Sequence, residues 1–220
     1  MMAISVTDQK TEYVVMGGTF DPVHNGHIHA ANALAKAMDY SCIHMMPCGD
    51  AYHKQGSSSA QHRLAMLNLA LQGEARLQSD PTETKRAGAT YTVETLRQLR
   101  QELGPDAHIC WLLGTDAAKG LSHWKDWQQV FELANIIVVN RGNEVLPEET
   151  SESWPARRVI DKEHFKQQAS GCFMQLALEP VVVSSTQIRQ ALHKQETVGH
   201  HVPQPVMNYI ELHGLYEGKN

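Results

Sequence analysis

Eleven consecutive residues, Gly17-Gly18-Thr19-Phe20-Asp21-Pro22-Val23-His24-Asn25-Gly26-His27, hold the densest chemistry in the chain. Two glycines let backbone N–H groups approach a ligand, and two imidazoles three positions apart at a helix start can donate to the same anion. An apolar run, Tyr13-Val14-Val15-Met16, precedes them, and Ile28, Ala31, Ala35 and Met38 follow at helical spacing. A strand feeding a glycine turn that opens a helix gathers N–H donors and the positive end of the helix dipole at one place, which suits phosphate. Each part also has a plainer reading. Gly17 and Gly18 can serve a tight turn, Asp21-Pro22 is a common turn starter, and His24 and His27 can be solvated residues at a helix N-terminus. The whole series, in this order between a strand and a helix, favours the phosphate site. Zinc on the His pair lacks a third ligand at recognisable spacing, so no metal-ligating set is expected.

Four later places carry further information. Ser184-Ser185-Thr186-Gln187-Ile188-Arg189 follows the apolar Val181-Val182-Val183, so a strand end again gives hydroxyls and then a helix start. The hydroxyls can merely cap the helix and Arg189 can be a surface cation; alternatively the group grips distal phosphates, because a fixed fork of donors suits phosphate oxygens. Thr92 opens a helix with apolar Val93, Leu96, Leu99 and Leu103, and reads as its N-cap; the N–H groups at that start could instead receive a small carboxylate. Asp116, just past the strand His108 to Leu113, is either another cap or an acceptor for ribose hydroxyls. Trp124 and Trp127 flank Lys125 and Asp126, and either ring fills the core or offers a flat face to an aromatic ligand.

The elements that must position these residues alternate along the chain. Strands are expected near 13–17, 41–47, 75–79, 107–113, 135–140 and 173–178, and helices at 26–39, 60–72, 92–103, across 115–133, at 185–194 and at about 203–213. That order predicts an α/β doubly wound parallel sheet with a C-terminal helical segment, with ligands beyond the carboxyl ends of the strands. Residues 1–220 read as a single domain, with 1–12 a loose lead-in and 142–171 an insertion or long connection in which Trp154-Pro155 is a packing anchor. Residues 57–59 read as a mobile loop.

Composition sets the outer limits. The 220 residues are 42% hydrophobic and 20% charged with a formal charge of −5, which favours neither disorder nor a fibrous class. No basic block or basic helix face is present, which argues against nucleic acid or an acidic membrane as a partner. No apolar run approaches the roughly 20 residues that span a bilayer, and the start lacks a signal-peptide pattern. Cys42, Cys48, Cys110 and Cys172 lack C-x-x-C spacing and read as reduced core thiols of a cytoplasmic protein.

The two motifs, H-x-G-H after G-G-T-F-D-P and S-S-T-x-I-R, resemble those of the nucleotidyltransferase superfamily. His53-Lys54, Lys85, Tyr91-Thr92, Thr95-Leu96, Gly114-x-Asp116, Trp124, and the tail Val206, Tyr209-Ile210 and Gly214-Leu215-Tyr216 make the chain, from Tyr13 onward, similar to bacterial nicotinate-nucleotide adenylyltransferases. The resemblance implies a Rossmann-like nucleotidyltransferase fold and transfer of AMP from ATP to nicotinate mononucleotide, releasing pyrophosphate, with Mg²⁺ accompanying ATP. By resemblance, Gly18, Thr19 and Phe20 lie along the adenylate, His24 and His27 face the triphosphate, Asp116 meets the ribose, and Ser185, Thr186 and Arg189 hold the β- and γ-phosphates. His24, His27 and Arg189 would be catalytic. Trp124 would stack on the pyridine ring, Thr92 and the N–H groups of Val93 and Lys125 would take its carboxylate, and Lys54 would sit near the mononucleotide phosphate.

Two departures from the family pattern concern loops near the mononucleotide. Arg141-Gly142 stands where Arg-Pro-Gly is common, and Ala51-Tyr52 where Pro-Pro precedes His-Lys. The alternatives are a sister adenylyltransferase or cytidylyltransferase taking phosphopantetheine or nicotinamide mononucleotide, and a non-catalytic nucleotide sensor. A sensor is expected to have lost one of His24, His27 or Arg189, and all three are present. Backbone donors at a positive helix end prefer a carboxylate to an amide, which favours the acid form of the mononucleotide.

Overall fold

The computed structural model describes residues 10–49, 57–141, 146–179 and 183–217. Its strands are β1 (Glu12–Gly18), β2 (Ile43–Pro47), β3 (Leu77–Ser79), β4 (His108–Gly114), β5 (Asn135–Arg141), β6 (Arg157–Arg158) and β7 (Cys172–Leu178). All pair in parallel, in the order β3-β2-β1-β4-β5-β7-β6. The central strands read as continuous apolar runs because both faces are covered: every residue of β4 from His108 to Leu113 is buried. Alternation assigns each side chain to a face. Cys110, Leu112, Ile137 and Val139 join one core, while Ile109, Trp111, Ile136 and Val138 join the other.

The first core is closed by α1 (Asn25–Met38), α2 (Ala60–Ala70), α7 (Lys162–Lys166), α8 (Ser185–His193) and α9 (Gln204–Leu212). In α1 the stripe Ile28, Ala31, Leu34, Ala35 and Met38 is buried, each large side chain contributing roughly 1.5–3 kcal/mol of burial. The helix stops at Asp39, whose φ of 53° is left-handed and whose N–H returns to the carbonyls of Ala35 and Lys36. The second core is closed by α3 (Thr92–Leu103), α4 (Thr115–Lys119) and α5 (Trp127–Leu133). α6 is the short helix Glu148–Glu152.

Four expectations are corrected here. Thr92 is not an N-cap: Tyr91 holds the extended cap position (φ −124°, ψ 133°) and Thr92 is the first helical residue. Asp116 is likewise inside the first turn of α4, with Gly114 as cap. The helical stretch across 115–133 is broken, α4 and α5 being separated by a 3₁₀ turn at Leu121–His123 and a left-handed Asp126. Cys110 and Cys172 are buried as expected, but Cys42 and Cys48 flank β2 and are only half-buried; all four are free thiols. The described part of 142–171, read as an insertion or long connection, carries α6, β6 and α7, and Trp154 is buried against Phe131 and Phe173.

The amino edge of the sheet is sealed by polar groups that satisfy one another. His108, the first residue of β4, is fully buried. Its Nδ1 lies 2.7 Å from the Gln168 carbonyl, which only accepts, so Nδ1 carries the proton and Nε2 accepts from the Tyr40 hydroxyl at 3.0 Å. Asn135, the first residue of β5, donates to the same carbonyl at 2.8 Å and accepts from the Cys172 N–H at 3.0 Å. Burial pushes the His108 imidazole below its ordinary pKa, against the raising effect of the Gln168 carbonyl.

Candidate active site at the carboxyl edge

Strand order reverses between β1 and β4, where the chain, having wound outward to β3, returns to the other side of β1. Crevices at such points open above the carboxyl ends of the strands. The starts of α1, α3, α4 and α8 are all delivered to this edge, each with N–H groups that have no carbonyl one turn earlier.

Residues 19–24 form the loop between β1 and α1. Phe20 adopts φ 51° with its ring buried, a conformation costing about 1–3 kcal/mol for a side chain of this kind. Gly18 makes room for it, since a Cβ there would lie 2.9 Å from the Phe20 ring. The fully buried Arg63 guanidinium fixes the loop from below. Its Nε donates to the Ser58 carbonyl at 3.1 Å, Nη1 to Thr19 at 2.9 Å and Nη2 to Gly49 at 2.6 Å, which ties the end of β1 to the end of β2.

His24 precedes α1 in extended conformation (φ −144°, ψ 168°) and His27 occupies its first turn. The two rings stack with centroids 3.7 Å apart, and the Phe20 ring meets His27 edge-on at 5.0 Å. His27 Nδ1 accepts the His24 backbone N–H at 3.3 Å, so the neutral ring carries its proton on Nε2 and is a donor there. Gly26 lies between them because a Cβ would fall 2.8 Å from Val183 and 3.0 Å from the His24 ring.

α8 comes to the same loop. Ser184 caps it by accepting the Gln187 N–H, and Gln187 returns the bond to the Ser184 N–H. Ser185 Oγ donates to the Pro22 carbonyl at 2.9 Å, so its hydroxyl ties the two motifs together. Arg189 Nη1 donates to the Asp21 carbonyl at 2.6 Å and Nη2 to Thr186 Oγ1 at 3.3 Å; a guanidinium has five N–H donors, so others remain for a ligand. A cavity of about 220 Å³ lies between the two motifs, lined by Thr19, Phe20, Asp21, His24 and His27 on one side and by 183–186 with Arg189 on the other. A second cavity adjoins it across the histidines, walled by Met16, Gly26, Ala30, Val139, Leu178 and Val183, with Asn140 and Glu179 as polar groups. In a chain of net charge −5 this is a local concentration of donors. Among the described residues that line the first cavity, Asp21 is the one carboxylate, and it accepts from the Ser58 N–H at 3.3 Å and the Tyr216 hydroxyl at 2.5 Å.

The expected mononucleotide residues form a second group. Val93 is buried and Trp124 is packed half-buried against the same core. Lys125 reaches from beside Trp124 to the first turn of α3, with Nζ 2.6 Å from Glu94 and 4.5 Å above the Tyr91 ring. The bond to Glu94 pushes the ammonium pKa up. The segment leading into α3 is pinned by Glu83, which is buried and accepts from Thr95 at 2.7 Å and Thr90 at 3.0 Å, while Thr90 accepts the Gly49 N–H at 3.2 Å. Burial raises the Glu83 carboxyl, and the two threonine bonds offset part of that rise.

Thus Thr19, Phe20, His24, His27, Ser185, Thr186 and Arg189 share one cavity; Gly18 lies behind it, and Asp116 is exposed on the adjacent β4 edge without lining it. Lys54 lies outside the described residues. Sequence reasoning gave no role to Arg63 or Glu83, read Asp21 only as a turn starter, and met Tyr216 only through the tail pattern. The available signal for Arg63 was its place on the face of α2 that also carries Met66, Leu67 and Ala70, where a cation is out of keeping.

The cytidylyltransferase-like family model matches residues 15–191, which contain both motifs. A relative from Chromobacterium violaceum named "Probable nicotinate-nucleotide adenylyltransferase" is 41% identical over 207 residues, covering 92% of this chain and 97% of its own. One of the same name from Marinomonas sp. is 37% identical, covering 92% and 93%. The chain belongs to the nicotinate-nucleotide adenylyltransferase family. Its fold is that of solved Plasmodium falciparum nicotinic acid mononucleotide adenylyltransferases, one complexed with NaAD (TM-score 0.75, 18% identity, 94% and 97% of the two chains) and one with APC (TM-score 0.71, 17%, the same shares). The likeness to both relatives runs through 92% of this chain rather than through the first motif alone.

Proposed function

We infer that this chain catalyses attack by the 5′-phosphate of nicotinate mononucleotide on the α-phosphorus of ATP, forming nicotinate adenine dinucleotide and releasing pyrophosphate. The observation that carries the reading is the convergence of the His24–His27 pair and Arg189, 162 or more positions apart in the chain, on one cavity. The nucleophile is already an anion, so the reaction needs no base and no covalent enzyme intermediate. The barrier is the approach of two polyanions and the charge that grows on the leaving pyrophosphate, so positioning and fixed donors dominate.

His27, with its proton held on Nε2 by the bond at Nδ1, is the donor assigned to the α-phosphate, with His24 stacked behind it. Arg189, Thr186 and the first N–H groups of α8 take the β- and γ-phosphates, while the Ser185 hydroxyl ties motif to motif. The adenosine end runs into the adjoining cavity walled by Gly26, Ala30, Val139 and Val183, with Asp116 on the ribose side. Trp124 stacks on the pyridine ring, and Thr92 with the N–H groups of Val93 and Lys125 receives its carboxylate. Lys54 is assigned to the mononucleotide phosphate from the family pattern.

The side chains around the cavity are donors to anions rather than ligands to a cation, and Asp21 already has partners for its oxygens. A Mg²⁺ would therefore be held by oxygens of the triphosphate, where it would neutralise phosphate charge. No helix among the described residues is long and apolar enough to cross a membrane, and we place the enzyme in the cytoplasm.

The test is pyrophosphate release from ATP with nicotinate mononucleotide, run beside nicotinamide mononucleotide and phosphopantetheine. Turnover is expected with the first at the highest kcat/KM; preference for another acceptor would reassign the substrate, and ATP binding without turnover would make the chain a sensor. Trp124→Ala is expected to raise KM for the mononucleotide about tenfold or more with a smaller change in kcat, the scale of one lost stacking contact. An unchanged KM would return Trp124 to the core.

A further inference from the structure

Among the described residues, two tyrosines donate to aspartates distant in sequence. Tyr13, early in β1, reaches Asp80, just past β3, at 2.8 Å, and Tyr216 reaches Asp21 at 2.5 Å across 195 positions. The second pair borders the cavity. Asp21 is 3% exposed and lines the phosphate space, where an unrestrained carboxylate would oppose a polyanion and compete for a cation that lines it too. That cation is Arg189, whose Nη1 sits 2.6 Å from the Asp21 backbone carbonyl. Docked on a neutral carbonyl, the guanidinium keeps its full charge for a ligand; captured by the carboxylate of the same residue, it would lose most of it. Both carboxylate oxygens are instead turned to the Ser58 N–H, and one also takes the Tyr216 hydroxyl.

We propose that Tyr216 is a positioning residue for adenylyl transfer: by holding the Asp21 carboxylate away from Arg189, it keeps that arginine charged and aimed at the triphosphate. The proposal rests on the function inferred above. Tyr216 is suited to the task. It occupies φ 65°, a conformation that persists only when its surroundings fix it, and the bond from the Leu215 N–H to the Ile210 carbonyl at 3.0 Å anchors the turn to α9. Burial, followed by the bond to Asp21, pushes the phenol well above the usual tyrosine range, so it remains a donor at every working pH. Its ring also forms part of the wall of an open groove beside Thr186 and Arg189, contiguous with the phosphate cavity.

The experiment is a cycle of Tyr216→Phe, Asp21→Asn and the double variant, with Tyr13→Phe as a control that removes a comparable bond away from the cavity. Each is assayed for kcat, for KM of ATP and for equilibrium Kd of ATP, at a temperature where circular dichroism shows it folded. Tyr216→Phe is expected to raise KM and Kd for ATP about tenfold or more, the scale of one hydrogen bond to a charged group. Adding Asp21→Asn should recover much of that loss, because an amide carries no charge to capture Arg189, whereas a tyrosine that only supports the fold would give additive losses. Tyr13→Phe should lower Tm and leave the ATP constants in place. Asp21→Asn alone supplies an arm that leaves position 216 intact, and its Kd for ATP should move less than that of Tyr216→Phe. Unchanged ATP constants in Tyr216→Phe, a double variant weaker than Tyr216→Phe, or an Asp21→Asn weaker than it would each overturn the proposal. The Kd arm needs no acceptor, so a wild-type chain that binds ATP without transferring AMP would count against the assigned reaction while leaving this proposal to be decided by the cycle.

Discussion

The two edges of the sheet are built from the same residue types and do opposite things. At the amino edge, the buried side chains of His108, Tyr40 and Asn135 and the Gln168 carbonyl close on one another. At the carboxyl edge, His24, His27, Thr186 and Arg189 line a cavity of about 220 Å³, and Arg189 has more N–H groups than its bonds to Asp21 and Thr186 use. A histidine network becomes a site when its geometry leaves donors pointing at open volume; where each donor already has its acceptor, the same network only holds strands together.

The contrast can be broken at either edge. His27→Ala should lower kcat by roughly 10²- to 10³-fold, the scale for one transition-state donor, with Tm nearly unchanged; steady-state pyrophosphate release decides it, and activity within a few-fold of the parent would remove His27 from the role. Gly26→Ala adds a methyl that must displace Val183 or the His24 ring, and should cost roughly tenfold to a hundredfold in kcat/KM despite alanine's better helix propensity. At the amino edge the effects should appear in stability instead. His108→Leu leaves the Tyr40 hydroxyl without its acceptor, which costs about 1–3 kcal/mol and lowers Tm by several degrees, while kcat/KM stays at the parent value. A large kinetic effect there would erase the distinction between the edges.

The smallest expected effect is a pH dependence. Burial holds His108 below its ordinary value of 6.5 in the folded state, so as pH falls through 6.5 the unfolded chain takes up a proton that the folded chain refuses. The stability associated with His108 is therefore complete above that pH and declines below it. Tm measured at pH 7.5 and 5.5 should drop less in His108→Gln than in the parent.

Much of this architecture was readable from the chain. The central strands are buried on both faces and carry unbroken apolar runs, so the doubly wound parallel sheet followed from pattern, whereas the exposed two-residue β6, Arg157–Arg158, did not; α3 falls on the expected 92–103 because Val93, Leu96 and Leu99 form its buried stripe and Gly104 ends it. The motif residues were legible because glycine, histidine and arginine concentrate there against expectation. What escaped was whatever depends on partners rather than types. Arg63 looks like one more helix arginine until three carbonyls from separate segments are seen to surround it, and Asp21 reads as a turn former until Tyr216 is found on its carboxylate. The bond from the Ser185 hydroxyl to the Pro22 carbonyl was not legible either, because nothing local announces a partner 163 positions away. Tyr91 took the cap position expected of Thr92 because helix entry is set by backbone conformation, which a one-residue shift in the sequence pattern does not distinguish.

The loop at residues 19–24 receives anchors from 163, 168 and 195 positions downstream, through Ser185, Arg189 and Tyr216. Translation is vectorial and proceeds at roughly 5–20 residues per second, so β1 emerges from the ribosome some ten to forty seconds before its last clasp is made. A growing polypeptide can thus stack its central strands before α8 and the turn after α9 bring these anchors to the loop.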